Sequence, residues 1–198
     1  MPPAEAVIIG AGVSGTAAAR SFLGVGAHVT VLDNNLDALQ NIHETFPGVA
    51  TMVSNPHNIA RATSYADIVA ACIQIPGERP PIVVTREMIR GMRPRSLIMD
   101  VSIDEGGCVE TSRPTTHEHP TFVEEGIIHY CVPNMGSAVA RTSTYAFLNA
   151  AYTFIKEIAE KGCELAIEDN PAIETGAIIY KGELRRLPRL KTSVEEEE

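Results

Sequence analysis

The run Gly10-Ala11-Gly12-Val13-Ser14-Gly15 directly follows four apolar residues, Ala6-Val7-Ile8-Ile9, and leads into an alanine-rich stretch. Glycines at this spacing between a strand and a helix have separate mechanical roles. The first turns the chain tightly, the second lets backbone N–H groups approach a pyrophosphate, and the third lets helix and strand pack closely. The same architecture needs an acid at the end of the next strand. Asp33 stands 18 residues beyond Gly15, closing Val29-Thr30-Val31-Leu32, where a carboxylate accepts hydrogen bonds from adenosine ribose hydroxyls. Such a carboxylate repels a 2′-phosphate, and neither Asn34 nor Asn35 is the arginine that would accommodate one, so the residues favour NAD over NADP. The motif alone leaves open a Rossmann-like glycine turn that holds flavin, another nucleotide or nothing.

Around this fingerprint, short β-branched runs alternate with longer amphipathic stretches, the pattern of βαβ units and a parallel sheet. Strands are predicted over 6–9, 28–32, 49–53, 68–73, 96–99 and 127–132, and helices over 13–25, 36–45, 58–65 and 85–91. One long helix is predicted over 137–161, where Val139, Tyr145, Leu148, Ala151, Phe154, Ile155 and Ile158 recur at helical spacing. The expected fold is α/β, a Rossmann-type doubly wound parallel sheet in three layers with a long C-terminal helix. Residues 1–150 are expected to form the dinucleotide-binding domain, 151–182 a helical extension, and 183–198 an acidic tail without fixed structure. The Gly-, Thr-, Asp- and Pro-dense stretch from Val101 to Thr121 reads as a loop, too long for a connector and well placed, past a strand's carboxyl end, for a ligand crevice.

Composition removes other classes. A length of 198 residues with 44% apolar content suits one globular domain. Of the formal charge of −9, four units come from the glutamates 195–198, which leaves an unexceptional body. With no Lys/Arg-rich run it lacks the electrostatic footprint of nucleic-acid binding and would be repelled by anionic lipid. No apolar stretch approaches the roughly 20 residues that span a bilayer, and Met1-Pro2-Pro3-Ala4-Glu5 carries no basic n-region. A cytoplasmic protein without membrane or nucleic-acid partners is expected. Cys72, Cys108, Cys131 and Cys163 are too widely spaced for a CxxC pair and read as reduced thiols. His117-Glu118-His119, the one close histidine pair, reads more readily as solvated than as metal-bound, so no metal site is expected.

Two further clusters hold candidate groups. Asp100-Val101-Ser102-Ile103-Asp104-Glu105-Gly106-Gly107-Cys108 follows the fifth strand, and spacing alone leaves Asp100 and Asp104 each as either a functional carboxylate or a cap or loop carboxylate. Asn134-Met135-Gly136-Ser137 opens the long helix, where free N–H groups and a short amide either border a nicotinamide or cap the helix.

Val7-Ile8-Ile9-Gly10-Ala11-Gly12, Thr30-Val31-Leu32-Asp33, Ser54-Asn55-Pro56, Ile75-Pro76-Gly77, the long run from Asp104 through Gly106-Gly107-Cys108-Val109-Glu110-Thr111-Ser112-Arg113-Pro114-Thr115-Thr116-His117, and Arg141-Thr142-Ser143-Thr144 together resemble one family. It is that of alanine dehydrogenase and the NAD-binding component of proton-translocating nicotinamide nucleotide transhydrogenase. The alanine dehydrogenase branch is the more similar, over about residues 6–182.

The resemblance implies reversible oxidation of alanine to pyruvate and ammonia with NAD as cofactor, a small amino or keto acid as substrate, and a homo-oligomer. It implies that Gly10, Gly12, Val13, Ser14, Gly15, Asp33, Ser54, Ile73 and Gln74 bind the cofactor. Ile103, Asn134 and Met135 would line the nicotinamide pocket, and Asp104 would be the active-site carboxylate. A carboxylate beside the reacting carbon orients the attacking ammonia or water and stabilises the iminium-like charge.

Several departures accompany the match. The family carries a substrate domain ahead of the glycine motif, supplying the arginine, lysine and histidine that hold pyruvate, whereas five residues precede the first strand here. A separate substrate-domain chain is therefore an expected partner, with residues 152–181 offering it apolar surface. Gly136 and Ala140 stand where the family usually has prolines, and Gln74 where an apolar residue normally meets the cofactor. Beside the catalytic reading stand a non-catalytic NAD(H)-binding, redox-sensing module and a truncated fragment of the full enzyme.

Overall fold

The computed structural model describes residues 2–185, so most of the expected acidic tail, from residue 186 on, lies outside the described residues. The chain divides into two compact units, one made of Met1–Ile75 and Arg79–Met135, the other of Pro76–Glu78 and Gly136–Glu198.

The first unit winds outward from β1 (Glu5–Ile9). On one side follow α1 (Val13–Gly24), β2 (His28–Asp33), α2 (Leu36–Thr45) and β3 (Ala50–Val53). On the other come α3 (Pro56–Tyr65), β4 (Ile68–Ala71), α4 (Arg86–Arg90) and β5 (Leu97–Asp100). The hairpin β6 (Thr121–Glu124) and β7 (Ile127–Tyr130) completes a seven-stranded sheet of order β3-β2-β1-β4-β5-β7-β6, parallel except for the edge strand β6. Winding reverses between β1 and β4, the switch point at which such sheets open a crevice.

Side-chain alternation builds the layers. Ala6 and Ile8 of β1 and Val31 of β2 face a core closed by Ala19 of α1 and Leu39 and Ile42 of α2. Val7, Ile9 and Leu32 face a second core with Ile59 and Ala62 of α3 and Ile89 of α4. The expected three layers are present, and burial of these branched side chains, worth about 1.5–3 kcal/mol each, drives their assembly.

The structure differs from the sequence reading mainly at element ends. The third helix starts two residues early because Pro56 fits its first turn and the Asn55 side chain accepts the Asn58 N–H. β4 stops at Ala71 because the Ser102 hydroxyl takes over the backbone groups of Ile73, accepting its N–H at 3.0 Å and donating to its carbonyl at 2.7 Å. The long loop ends in β6, which the short Thr121-Phe122-Val123-Glu124, preceded by Pro120, does not announce. The predicted long helix opens as a 3-10 turn, Met135–Val139, before α5 (Ala140–Lys161).

In the second unit, α5 is followed by α6 (Cys163–Asp169), α7 (Pro171–Gly176) and a hairpin of β8 (Ile179–Tyr180) and β9 (Glu183–Leu184). Gly162, at φ 78°, breaks the helix, and Lys161 pairs with Glu157 at 3.0 Å and Asp169 at 2.9 Å across the break. None of the residues of α5 is buried, and Ala166 is the one fully buried hydrophobic residue among the described residues of this unit.

Candidate functional site

The carboxyl ends of β1, β2 and β4 open on a cleft of about 710 Å³. Gly10, Gly12, Val13, Ser14, Asp33, Ser54, Ile73 and Gln74 line it, so eight of the twelve residues assigned to the cofactor share one surface. Gly15 lies beneath that surface: a Cβ there would overlap the Gly10 carbonyl oxygen, so helix and strand meet backbone to backbone. Gly10, at φ +108°, similarly leaves no room for a Cβ against the Cys72 carbonyl.

Gly12 ends the turn in open space, and no side chain caps α1. The first turn of α1 carries no acid, so its N–H groups and the positive end of the helix dipole are left for an anion. Val13 is 91% exposed at the rim, an apolar surface that a bound ligand would cover.

Asp33 is held in place by the glycine loop. Its Oδ2 accepts the Ala11 N–H at 2.6 Å and its Oδ1 the Asn35 N–H at 2.7 Å. The Ser54 N–H donates to the Asp33 carbonyl at 2.8 Å, bringing the end of β3 alongside. The side chain of Asn35 caps α2, and no lysine or arginine is among the cleft-lining residues. This cradle fits a dinucleotide with a free ribose: N–H groups for the pyrophosphate, a carboxylate for the hydroxyls, and no cation for a 2′-phosphate.

Beyond β5 the loop is built around Asp100. This carboxylate is fully buried and accepts N–H groups from Ser102 and Cys108 at 3.1 Å each and Val109 at 3.3 Å. Gly107 turns over it at φ +75°, where a Cβ would stand 2.8 Å from Asp100 Oδ2. Asp100 is thus the loop's anchor, and the glycine pair is what lets backbone amides reach it. Burial first, and the Asp100 charge second, push the neighbouring Cys72 and Cys108 thiols up to about 12, so both stay protonated and unreactive at neutral pH. All four cysteines are free.

Ile103, Asp104, Asn134 and Met135 do not line the cleft. Asp104 and Asn134 meet beside it: both Asp104 oxygens accept the Asn134 N–H, at 2.9 and 3.1 Å, with Asn134 in the left-handed region at φ 52°. Ile103 is buried below in the 3-10 turn Ile103–Glu105, and Met135 follows Asn134, half-buried. Two links connect this group to the cleft wall, the Ser102 bridge to Ile73 and a 2.8 Å hydrogen bond from Gln74 Nε2 to Glu105 Oε1.

Sequence reasoning missed Ser102 and Glu105. An acid ending a strand a few residues before a glycine pair could have marked the Asp100 anchor, but nothing local marks Glu105, whose partner is 31 residues away. Among the described residues no three His, Cys, Asp or Glu side chains are grouped to hold a metal ion, and no helix is long and apolar enough to cross a membrane.

Comparison with known proteins identifies the family. Residues 1–186 match the family described as alanine dehydrogenase/PNT, C-terminal domain. The chain is 45% identical over 184 residues to an alanine dehydrogenase of Methanococcus maripaludis, covering 92% of this chain and 49% of that protein. It is 42% identical over 183 residues to one from Halomonas elongata, again covering 92% and 49%. The chain therefore spans about half the length of the curated relatives it matches. Among solved structures, an L-alanine dehydrogenase superposes with a TM-score of 0.87 at 36% identity, over 99% of this chain and 54% of that one. A transhydrogenase from Sinorhizobium meliloti, at 21% identity and a TM-score of 0.78 over 93% of this chain and 53% of that one, shares the fold. The chain belongs to the alanine dehydrogenase/PNT C-terminal domain family, and its Rossmann-type unit is an NAD-binding domain.

Proposed function

We propose that this chain is the NAD(H)-binding part of an alanine-dehydrogenase-like oxidoreductase, which interconverts L-alanine or a related amino acid with its keto acid and ammonia. The observation that carries the reading is the Asp104–Asn134 clamp beside the cleft, since anchoring a dinucleotide needs no carboxylate there. Bound NAD supplies the hydride acceptor of the reaction. Glycine-loop N–H groups neutralise the pyrophosphate, and Asp33, already oriented by Ala11 and Asn35, receives the ribose hydroxyls. Asp104, fixed by the Asn134 N–H, orients ammonia or water and stabilises positive charge as the C–N bond forms or breaks.

Groups to hold the substrate carboxylate would come from a substrate domain, on this polypeptide or another. The exposed apolar residues of α5 and beyond, including Tyr145, Phe147, Leu148, Tyr152 and Phe154, offer that domain a surface. A cytoplasmic homo-oligomer completes the proposal.

Calorimetry with NADH and an assay of alanine-dependent NAD reduction test it together. The chain is expected to bind NADH alone, and to reduce NAD only when the unmatched half of the Methanococcus maripaludis relative is added. Absence of NADH binding overturns the whole proposal, while turnover by this chain alone overturns the divided site.

A further inference from the structure

Ile73 lines the cleft two residues past the end of β4, and one side chain takes both of its backbone polar groups. The Ser102 hydroxyl accepts the Ile73 N–H at 3.0 Å and donates to the Ile73 carbonyl at 2.7 Å. Cys108 Sγ stands 3.5 Å from the same oxygen as a further donor. A hydroxyl has one proton to give and two lone pairs to fill, so these contacts saturate it and fix its rotamer. The backbone of Ser102 is held as firmly. Its N–H donates to Asp100 Oδ1 at 3.1 Å, and its carbonyl accepts the N–H groups of Glu105 and Gly107 at 3.0 Å each. The residue is buried, and the cofactor assignment does not use it.

The two bonds to the Ser102 carbonyl close the 3-10 turn Ile103–Glu105, which carries Asp104. Asp104 in turn accepts the Asn134 N–H through both oxygens, at 2.9 and 3.1 Å. A second strut runs beside the first, from Gln74 Nε2 to Glu105 Oε1 at 2.8 Å. Ser102 and Glu105 thus flank Asp104 in the chain, and each is tied to a residue of the cleft wall, Ile73 or Gln74. All of these groups belong to the first unit. Hydrogen-bonded groups packed in this way move together, because each buried bond lost leaves a donor or an acceptor unpaired.

We propose that Ser102 is a positioning residue that ties occupancy of the cleft to the setting of Asp104. A ligand that immobilises the wall at Ile73 also immobilises, through the Ser102 hydroxyl and carbonyl, the turn that presents the Asp104 carboxylate to Asn134. Glu105, acting through the exposed Gln74, is the weaker of the two struts. The proposal rests on the cleft's being the NAD site and adds a coupling to it: the bound cofactor orders the carboxylate before substrate arrives.

Amide hydrogen exchange, followed by NMR on the full chain with and without saturating NADH, tests this coupling. Two N–H groups report, that of Ala11, which donates to Asp33 in the cleft, and that of Asn134, which donates to Asp104 beside it. In the unmodified chain NADH is expected to slow exchange at both by about tenfold or more. Ser102→Ala removes the hydroxyl and little volume. It is expected to keep the slowing at Ala11 and to reduce that at Asn134 to within about twofold, and Ser102→Thr, which restores a hydroxyl, to recover it. Glu105→Ala, outside the cleft lining, is expected to keep about threefold at Asn134. A merely structural serine would leave the NADH-induced ratio at Asn134 unchanged in Ser102→Ala, and that result overturns the proposal. So does slowing at Ala11 without slowing at Asn134 in the unmodified chain, and both results spare the NAD reading. Should circular dichroism show Ser102→Ala unfolded, an undiminished Asn134 ratio in Glu105→Ala overturns the coupling in its place. Failure of the unmodified chain to bind NADH overturns the coupling and the NAD reading together.

Discussion

At the scale of single residues, the site rests on two carboxylates used in opposite ways. Asp33 is half-buried and keeps its side chain at the cleft surface, held by two short N–H bonds. Asp33→Ala removes the acceptor for the ribose hydroxyls and leaves the Ala11 N–H unpaired. NADH affinity measured by calorimetry is expected to fall about 10- to 100-fold, the range of one or two hydrogen bonds to a charged group. Asp100 is fully buried and faces three backbone donors. Asp100→Ala strands those donors and is expected to cost about 3 kcal/mol in urea unfolding, with loss of NADH binding following from disorder of the loop behind Ile73. The two acids were not equally legible. Asp33 sits at a fixed distance from a glycine fingerprint, so a ribose-binding role is expected from the chain alone. Asp100 and Asp104 stand four residues apart with the same local signals, and only tertiary contacts separate the buried anchor from the carboxylate clamped beside the cleft.

At the scale of elements, the strand–turn–helix unit from β1 to α1 depends on a contact that no side chain can share. Gly15→Ala pushes a methyl group onto the Gly10 carbonyl, which is itself backbone and cannot rotate away. A loss of at least about 2 kcal/mol is expected in denaturant titration, despite the better helix propensity of alanine. Unchanged stability would mean that α1 sits farther from β1 than the structure has it. This unit was legible because every residue in it obeys local rules: apolar strand, glycine turn, alanine helix. The elements that escaped were those fixed from outside. β6 exists because β7 offers it an antiparallel edge, with Phe122 stacked on His129 at 4.8 Å, and β4 is shortened by a hydroxyl from the β5 loop. Cys163-Glu164-Leu165-Ala166-Ile167-Glu168-Asp169 is too short for periodicity to declare a helix, and α6 forms with Ala166 as its buried contact.

At the scale of the whole molecule, the first unit carries both cores, so its cooperative unfolding reports on any group buried within it. His129 is such a group. It lies fully buried on β7, where Nδ1–H donates to the Ile127 carbonyl at 3.0 Å and Nε2 pairs with the Thr111 hydroxyl at 2.7 Å, which fits a neutral ring. Burial holds its pKa below the ordinary histidine value of 6.5. The unfolded chain therefore binds a proton that the folded chain refuses. Stability from this group is complete above 6.5 and drains away as pH falls toward the depressed value, by at most about 1.4 kcal/mol per pH unit. Glu125 does not blur this window: Arg90 and Arg86 hold its carboxyl down to about 2, so its pairing is lost only below its ordinary 4.5. Urea midpoints followed from about pH 8 to about pH 5 should be flat at first and then decline. His129→Gln should start less stable, having lost its ring stacking, yet show a shallower decline over the same range. An equal decline in both proteins would assign the acid sensitivity to other groups.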